Sequence, residues 1–322
     1  MLTNVNAQFA PQAGTAGTTA IHKDSSAFKA WATACTLQLG WQNIADTTLG
    51  KAQVGDASYV IGKAGSGVAS LGDGGVAILR FEHPIINGEG YDFAVFENGF
   101  IDQTLAPGTA FLEIAFVEVS SDGVNFTRFP ATCLTDTATQ IAPYQGTVAA
   151  NLNNLAGKYI GNFGTPFDLE ELDSIEGLNI NYITHVKIID VVGSIQNAYA
   201  TRDAHGNKVN DPWPTDFASS GFDLDAVGVI HHDITQSLKD FSHSQALSVF
   251  PNPAAVNEAV FIGNSFPPSQ IALYDLLGNK TTSFTVTTVT NGIELRMSET
   301  GMYQLVVQSN ENVFSKRIVI TN

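Results

Sequence analysis

The chain has 322 residues, of which 44% are hydrophobic, only 14% are charged and 29 are glycine. This composition is typical of a globular protein of one or two domains, and it favours strands and turns over long helices. The net charge of −16 repels phosphate backbones, which argues against nucleic-acid binding. No apolar run approaches the ~18 residues needed to cross a bilayer, so the sequence predicts no membrane-spanning segment.

The start of the chain has the pattern of an export signal. Val5-Asn6-Ala7 before Gln8 is a small-x-small sequence like the cleavage site of a signal peptide. We therefore expect residues 1–7 to be the remnant of such a signal and the mature chain to begin near Gln8.

Two short helices are predicted. Capping residues open the segment 24–40, in which Phe28, Trp31 and Cys35 recur at the spacing of three and four that is typical of one helical face. The second helix is predicted at 167–175, whose acidic residues lie near its start, where the helix dipole favours them.

The other patterns up to residue 233 predict β-strands. Apolar and polar residues alternate, and Gly, Asn and Pro separate the segments. The predicted strands lie at 74–81, 91–98, 111–129 (a hairpin that turns at Ser121-Asp122-Gly123), 184–193 and 222–230. Several short strands with such punctuation indicate an all-β, jelly-roll-like sandwich over residues 8–233, with loops gathered at its ends.

A second domain is predicted after a linker. Residues 234–246 are polar and have no strand pattern, which is typical of a linker. Residues 247–322 then show several new strand patterns over the length of a small domain, so we expect a second, immunoglobulin-like β-sandwich. This second domain carries five acidic and four basic side chains, so almost all of the net charge belongs to residues 1–246.

Four signatures in order connect residues 247–322 with a known family. They are Val249-Phe250-Pro251-Asn252-Pro253, the segment 271–278, Gly301-Met302-Tyr303, and the segment 316–320. The domain resembles the type A C-terminal sorting domain of the type IX secretion system of Bacteroidetes. The resemblance implies export across the outer membrane to the cell surface or the medium, with the type IX translocon and its shuttle protein as partners. It assigns the sorting signal to Pro251, Asn252, Pro253, Gly301, Tyr303, Lys316 and Arg317.

The first domain shows no familiar catalytic pattern. The sequence contains no H-E-x-x-H, G-x-S-x-G or C-x-x-C, so we predict that the protein is not an enzyme. Its two cysteines, Cys35 and Cys133, allow one disulfide or two free thiols, and the sequence leaves both alternatives open.

Carboxylates at the last predicted strand form a candidate metal site. Asp223 and Asp225 have an even separation and share a strand face, and Glu97 ends the strand at 91–98. Three carboxylates in proximity are the ligands that Ca²⁺ prefers. The alternative is an outward strand face that ends in a turn.

Aromatic side chains beside turn residues form the other candidate surface. Trp213 lies between two prolines, which stiffen a loop and can present the ring to a ligand at low entropic cost. Aromatic faces next to Asp, Asn and Gly bind flat ligands rich in amides or hydroxyls, and hydrophobic caps on the ends of the sandwich are the alternative. The predicted ligand-binding residues are Trp213, Tyr91, Phe100, Asn98, Asp211, Trp41 and Tyr199.

An ordered series of segments gives the first domain its own family resemblance. They are 31–32, 55–57, 61–64, 70–75, 92–98, 111–129, 154–158, 164–172, 184–194 and 211–231. The domain resembles a Bacteroidetes family of cell-surface proteins similar to those that capture vitamin B12 beside TonB-dependent cobalamin transporters. The resemblance implies cobalamin as a ligand rather than a cofactor, and such a transporter as a partner.

A second resemblance leaves another function open. The hairpin 117–129 and the strand 222–230 resemble the corresponding parts of galactose-binding-like jelly rolls. A Ca²⁺-stabilised carbohydrate-binding or adhesion module is therefore the alternative to a corrinoid binder. A hydrolase is a weaker third hypothesis, because no pair of nucleophile and base is discernible.

Overall fold

The computed structural model describes residues 9–235, 248–263, 270–275, 280–289, 292–309 and 312–322. The chain divides into two compact units, Met1–Leu238 and Lys239–Asn322. Both are built from β-strands over the described residues, which confirms the predicted all-β class. The predicted signal remnant 1–7, and the predicted linker apart from residues 234 and 235, lie outside the described residues.

The N-terminal unit consists of two antiparallel sheets. One has the order β1-β12-β6-β14-β2 with β4 added on β14, and the other has the order β11-β7-β13-β5-β3 with β8 added on β7; β9 and β10 form a separate pair. The strands are β1 (Ile21–His22), β2 (Ala30–Trp31), β3 (Ala34–Gln38), β4 (Ala69–Ser70), β5 (Val76–Ile85), β6 (Phe93–Glu97), β7 (Ala115–Ser120), β8 (Thr127–Arg128), β9 (Thr132–Cys133), β10 (Leu152–Asn153), β11 (Leu155–Ala156), β12 (Phe163–Phe167), β13 (Ile183–Asp190) and β14 (Asp223–Val229).

The main hydrophobic core lies between these two sheets. Phe93 and Val227 from the first sheet, and Leu79, Val117 and Ile188 from the second, belong to one cluster of buried side chains. In the first part of β5, Ala77, Leu79 and Phe81 are buried and alternate with less buried residues, as expected for a strand with one face on a core. The predicted strands correspond to β5, β6, the hairpin β7–β8, β13 and β14.

The predicted helix at 24–40 is wrong, because this segment contains β2 and β3. Its apolar residues do not share one face. Phe28 and Trp31 pack on Phe96, whereas Cys35 packs against the core between the sheets. The spacing of three and four therefore arises where the chain crosses from one sheet to the other, and pairing of β3 with β5 supplies the backbone hydrogen bonds.

Of the second predicted helix, at 167–175, only a single 3₁₀ turn forms, Leu169–Leu172. The side chain of Asp168 caps it by accepting a hydrogen bond from the Glu170 backbone N–H. Two further 3₁₀ turns, Thr47–Leu49 and Ala149–Asn151, complete the helical structure of the described residues.

Both cysteine thiols are free. Cys35 packs against the core between the sheets and Cys133 belongs to a different buried cluster, so the alternative of a disulfide is not realised.

The C-terminal unit is a smaller β-sandwich around its own core. Its sheets have the orders β15-β17-β21-β20 and β16-β23-β22-β18-β19. Residues 276–278, which end the predicted segment 271–278, lie outside the described residues. The strands are β15 (Ser248–Phe250), β16 (Ala254–Ala255), β17 (Val260–Gly263), β18 (Gln270–Tyr274), β19 (Lys280–Thr281), β20 (Phe284–Val289), β21 (Gly292–Met297), β22 (Gly301–Ser309) and β23 (Asn312–Thr321).

Asn252 connects the beginning of this unit with its last strand. Its side-chain Nδ2 donates to the carbonyl of Arg317 at 2.8 Å, and its Oδ1 accepts from the backbone N–H of Val319 at 2.9 Å. Directly afterwards, Ala254 pairs in parallel with Ile320. The Asn252 side chain thus satisfies backbone groups at the edge of β23, next to the place where β16 pairs with this strand.

Replacement of Asn252 by alanine tests this connection. The Asn252→Ala variant loses two hydrogen bonds, so we expect local protection at β23 to fall by about 1–2 kcal/mol and the Val319 amide hydrogen to exchange about 5–30 times faster. Hydrogen exchange of the full chain measures this. The exposed Lys316 on the same strand provides the control Lys316→Ala, and equal Val319 exchange in Asn252→Ala and the parent chain would contradict the assignment.

Candidate functional site

Six buried carboxylic acids gather where loops meet one end of the N-terminal sandwich, which we call the acidic end. Pairing of Leu224 with Glu97 and of Asp190 with Ala115 brings the ends of β6 and β13 to the starts of β14 and β7. None of the six side chains is more than 7% exposed. The acidic end consists of Asp73, Glu97, Glu113, Asp190, Asp211 and Asp223.

Several of these acids hold loops in place. Asp190 accepts hydrogen bonds from the backbone N–H groups of Gly74 at 2.9 Å and Phe222 at 2.7 Å, and so joins the two sheets. Asp211 accepts from the N–H of Ile114 at 3.0 Å. Burial, the main cause, and neighbouring carboxylates raise the pKa of both acids well above the usual range.

Glu97 and Glu113 are the exceptions, since each retains an unused oxygen. Glu97 accepts from the Gly99 N–H at 2.7 Å through Oε2. Within residues 9–235, Oε1 of Glu97 and Oε1 of Glu113 are buried without a hydrogen-bond partner. Burial first, and then the neighbouring carboxylate of Asp223, raises the pKa of both glutamates well above the usual range.

A pocket of about 420 Å³ opens on this end of the sandwich. Its volume is within the range of small-molecule sites. Two carboxylic acids, one amide and four aromatic rings line it together with one serine. The lining residues are Asn98, Phe100, Phe111, Glu113, Tyr144, Phe217, Ser219 and Asp223.

The four rings form a continuous stack, which we call the aromatic wall. The ring centroids of Phe100 and Phe111 are 5.1 Å apart, those of Phe111 and Tyr144 are 6.4 Å apart, and those of Tyr144 and Phe217 are 6.0 Å apart, with each pair stacked. Tyr144 is 68% exposed, and its backbone has a φ of +66°, a conformation that is costly for a bulky residue. Three separate loops contribute these rings, so the wall is a product of the tertiary fold.

The structure brings two of the seven predicted ligand-binding residues into the pocket. Asn98 and Phe100 line it. Tyr91 is exposed but does not line it, and Lys51 Nζ lies 3.6 Å from the centroid of the Trp41 ring, also outside the pocket. Asp211 is buried as a support for the Ile114 backbone.

The prediction that Trp213 presents its ring to a ligand is wrong. The side chain is 5% exposed, and its Nε1 donates to Asp73 Oδ2 at 3.1 Å. Tyr199 packs on it with ring centroids 6.2 Å apart, so this predicted ligand contact is also a packing contact. A buried carboxylate that accepts the indole N–H makes the interior the favourable place for this ring.

The predicted calcium ligands are only partly together. Glu97 and Asp223 are electrostatic neighbours, and Asn98 Nδ2 donates to Asp223 Oδ2 at 2.9 Å. Asp225 lies at a register shift in β14 and accepts instead from the Gly65 N–H at 2.8 Å. No three His, Cys, Asp or Glu side chains in the described parts of the chain are placed to hold one metal ion. Calcium binding itself stays a prediction.

Five pocket residues were not predicted from the sequence: Phe111, Glu113, Tyr144, Phe217 and Ser219. Glu113 comes before β7, and Glu118, five residues later, pairs with Arg128 and Lys187 away from the pocket. Glu113 lies outside the regular strand, so strand alternation does not indicate that its side chain reaches a pocket. A proline before Tyr144 and an aspartate before Phe217 mark both as loop residues, and Phe111 opens a predicted strand, so only long-range packing identifies them.

The predicted sorting-signal residues lie in three parts of the C-terminal unit: near its start, at the beginning of β22 and on β23. Pro251 and Pro253 flank Asn252, and Lys316 and Arg317 are exposed on β23. Tyr303 is buried, and its hydroxyl donates to the carbonyls of residues 299 and 300. A Cβ at Gly301 would lie 3.2 Å from the Tyr303 ring, and the φ of +154° there also favours glycine.

Comparison with known proteins identifies this C-terminal region. Residues 248–321 match the family model of the secretion system C-terminal sorting domain. The sorting domain marks the protein for export through the type IX secretion system to the cell surface or the medium, and the predicted localisation is therefore confirmed. No curated protein matches the chain. Among the described residues there is no helix with the length and apolarity that a membrane crossing requires.

The raised pKa of Glu113 predicts how stability depends on pH. The folded protein binds this proton more tightly than the unfolded chain, so the stabilisation is present at low pH and is lost as pH rises above the usual carboxyl range. We expect Glu113→Gln to raise the free energy of unfolding by about 1.4 kcal/mol or more at pH ~8, and by much less at pH ~5.

Urea unfolding of the full chain followed by tryptophan fluorescence measures this, because all three tryptophans lie in the N-terminal unit. The exposed Glu176 offers the control Glu176→Gln. An equal free-energy difference between Glu113→Gln and the parent chain at both pH values would show that burial does not hold the proton on Glu113.

Proposed function

We propose that the N-terminal unit is a non-enzymatic ligand-binding module that works outside the cell and takes its ligand in the pocket beside the acidic end. The observation that carries the proposal is the aromatic wall, in which exposed Phe100 and Tyr144 continue the stack of Phe111 and Phe217. An exposed stack of rings that leads into a pocket is costly in water and favours a ligand that covers it.

The wall also contains backbone strain, which supports a role in binding. A left-handed φ at an exposed tyrosine is not required for packing of the core, and such conformations gather at ligand-binding positions. The strain at Tyr144 places its ring between Phe111 and Phe217. The export signal supports a ligand that is met at the cell surface or in the medium.

A corrinoid is the ligand that we propose first. The family resemblance of the first domain implies it, and the pocket offers rings for apolar edges together with Asn98, Glu113 and Asp223 for amide groups. A whole corrinoid is larger than the pocket, so we propose that amide arms at one edge of the macrocycle enter it. In this role the protein hands its ligand to a TonB-dependent cobalamin transporter.

A carbohydrate is the second candidate. Aromatic rings stack on the apolar faces of sugars, and carboxylate and amide groups accept and donate hydrogen bonds to hydroxyls. The same pocket therefore serves both ligands, and binding measurements decide between them.

Removal of one ring of the wall tests the proposal. Calorimetric titration of the full chain with cyanocobalamin should give micromolar binding, and Tyr144→Ala should weaken it about 3–10-fold, because an aromatic contact contributes about 0.5–1.5 kcal/mol beyond its buried area. Tyr59, which is 45% exposed and does not line the pocket, gives the control Tyr59→Ala.

Three results would contradict parts of the proposal. Binding of an oligosaccharide panel without cyanocobalamin would select the carbohydrate function. Equal loss of affinity in Tyr144→Ala and Tyr59→Ala would exclude the wall as the binding surface. The absence of binding to both ligand classes would remove the proposed function.

A further inference from the structure

One buried acid that lines the pocket, and a second acid beside it, lack a hydrogen-bond donor from the described parts of the protein. Glu113 lines the pocket, its side chain is 4% exposed, and its Oε1 has no partner within residues 9–235. Glu97, 1% exposed, has a second unpartnered Oε1 beside the same acids. A buried acceptor without a donor is unfavourable, so a ligand that brings N–H groups gains by satisfying it.

The acidic side chains around Glu113 favour a positively charged hydrogen-bond donor over a neutral one. Asp223 also lines the pocket, and its own oxygens accept hydrogen bonds from the Ser70 hydroxyl and the Asn98 amide, so this acid is already satisfied. The two glutamates and Asp223 act on one another through like charge. A positive charge beside these acids would favour their ionised form and offset their mutual repulsion, whereas an anion would add to it.

The aromatic wall also favours a positively charged group on the ligand. The faces of aromatic side chains attract ammonium and guanidinium groups, and such groups form strong, charge-assisted hydrogen bonds with carboxylates. A metal ion fits less well, because no three acidic, histidine or cysteine side chains of the described chain are placed around one point.

We propose that the pocket prefers an ammonium or guanidinium group to the neutral amides and hydroxyls of the two ligand classes considered above, with Glu113 as the principal acceptor, Glu97 as the neighbouring acceptor, and the aromatic wall holding the apolar body to which that group is attached. This inference rests on the proposed binding function of the same pocket. It ranks ligands: a positively charged nitrogen binds more tightly than a neutral amide, and an amide more tightly than a hydroxyl.

Two probes of nearly identical shape test the ranking. Benzylamine and benzyl alcohol differ mainly in the group that would meet Glu113, and each carries one ring for the wall. Titration of the full, isotopically labelled chain at constant pH and ionic strength, followed by amide chemical shifts around the pocket, gives both affinities. We expect benzylamine to bind about 10-fold more tightly than benzyl alcohol.

Variants then assign the preference to its residue. Glu113→Gln should weaken benzylamine about 10-fold and leave benzyl alcohol within about twofold, because the shape is conserved but the side chain can no longer ionise beside a cation. Tyr144→Ala should weaken both probes to a similar degree. Glu176→Gln, an exposed change of the same kind that does not line the pocket, should alter neither affinity.

Each outcome decides one question. Equal affinity for the two probes, with Tyr144→Ala weakening both, would overturn the charge preference and leave the binding pocket intact. No shifts around the pocket with either probe would count against the binding function itself. Shifts around Glu97 and Glu113 with calcium chloride, but not with benzylamine, would overturn the organic cation in favour of a metal ion.

Discussion

The N-terminal sandwich depends on carboxylic acids that are buried where its loops meet its sheets. Without a side-chain acceptor, the N–H groups of loop residues such as Phe222 and Ile114 would lack partners in the interior, and Asp190 and Asp211 supply those acceptors. Gathering the acids has an electrostatic cost, since each raises the pKa of others. The hydrogen bonds between these acids and the loop N–H groups offset this cost and fix the loops.

Fixed loops are what make a recognition surface possible here. Each ring of the aromatic wall belongs to a connection rather than to a strand, so its position is only as well defined as the hydrogen bonds beneath it. Trp213 is an example of this support. Its hydrogen bond to Asp73 helps to fix the loop that also contributes Phe217. The positions of the rings in the aromatic wall therefore depend on the buried carboxylates that fix their loops.

The long strands could be predicted because alternation of apolar and polar residues is a local property. The helix at 24–40 could not be excluded, since the same spacing occurs where a chain passes between two sheets. In the pocket, Asn98 and Phe100 were found because they follow a strand end. Tyr144 and Phe217 were missed, since they are more than 70 residues apart in sequence and meet only through the fold. Trp213 was misplaced because proline neighbours indicate a stiff loop but not the side on which the ring packs.

The hydrogen bonds from Asn252 to β23 make the beginning of the sorting domain depend on its last strand. The amide at the beginning of the domain finds its partners about 65 residues later, in Arg317 and Val319. A polypeptide that stops before residue 312 lacks the strand to which this asparagine binds. Such a product would therefore lack the two hydrogen bonds that join the beginning of the domain to β23.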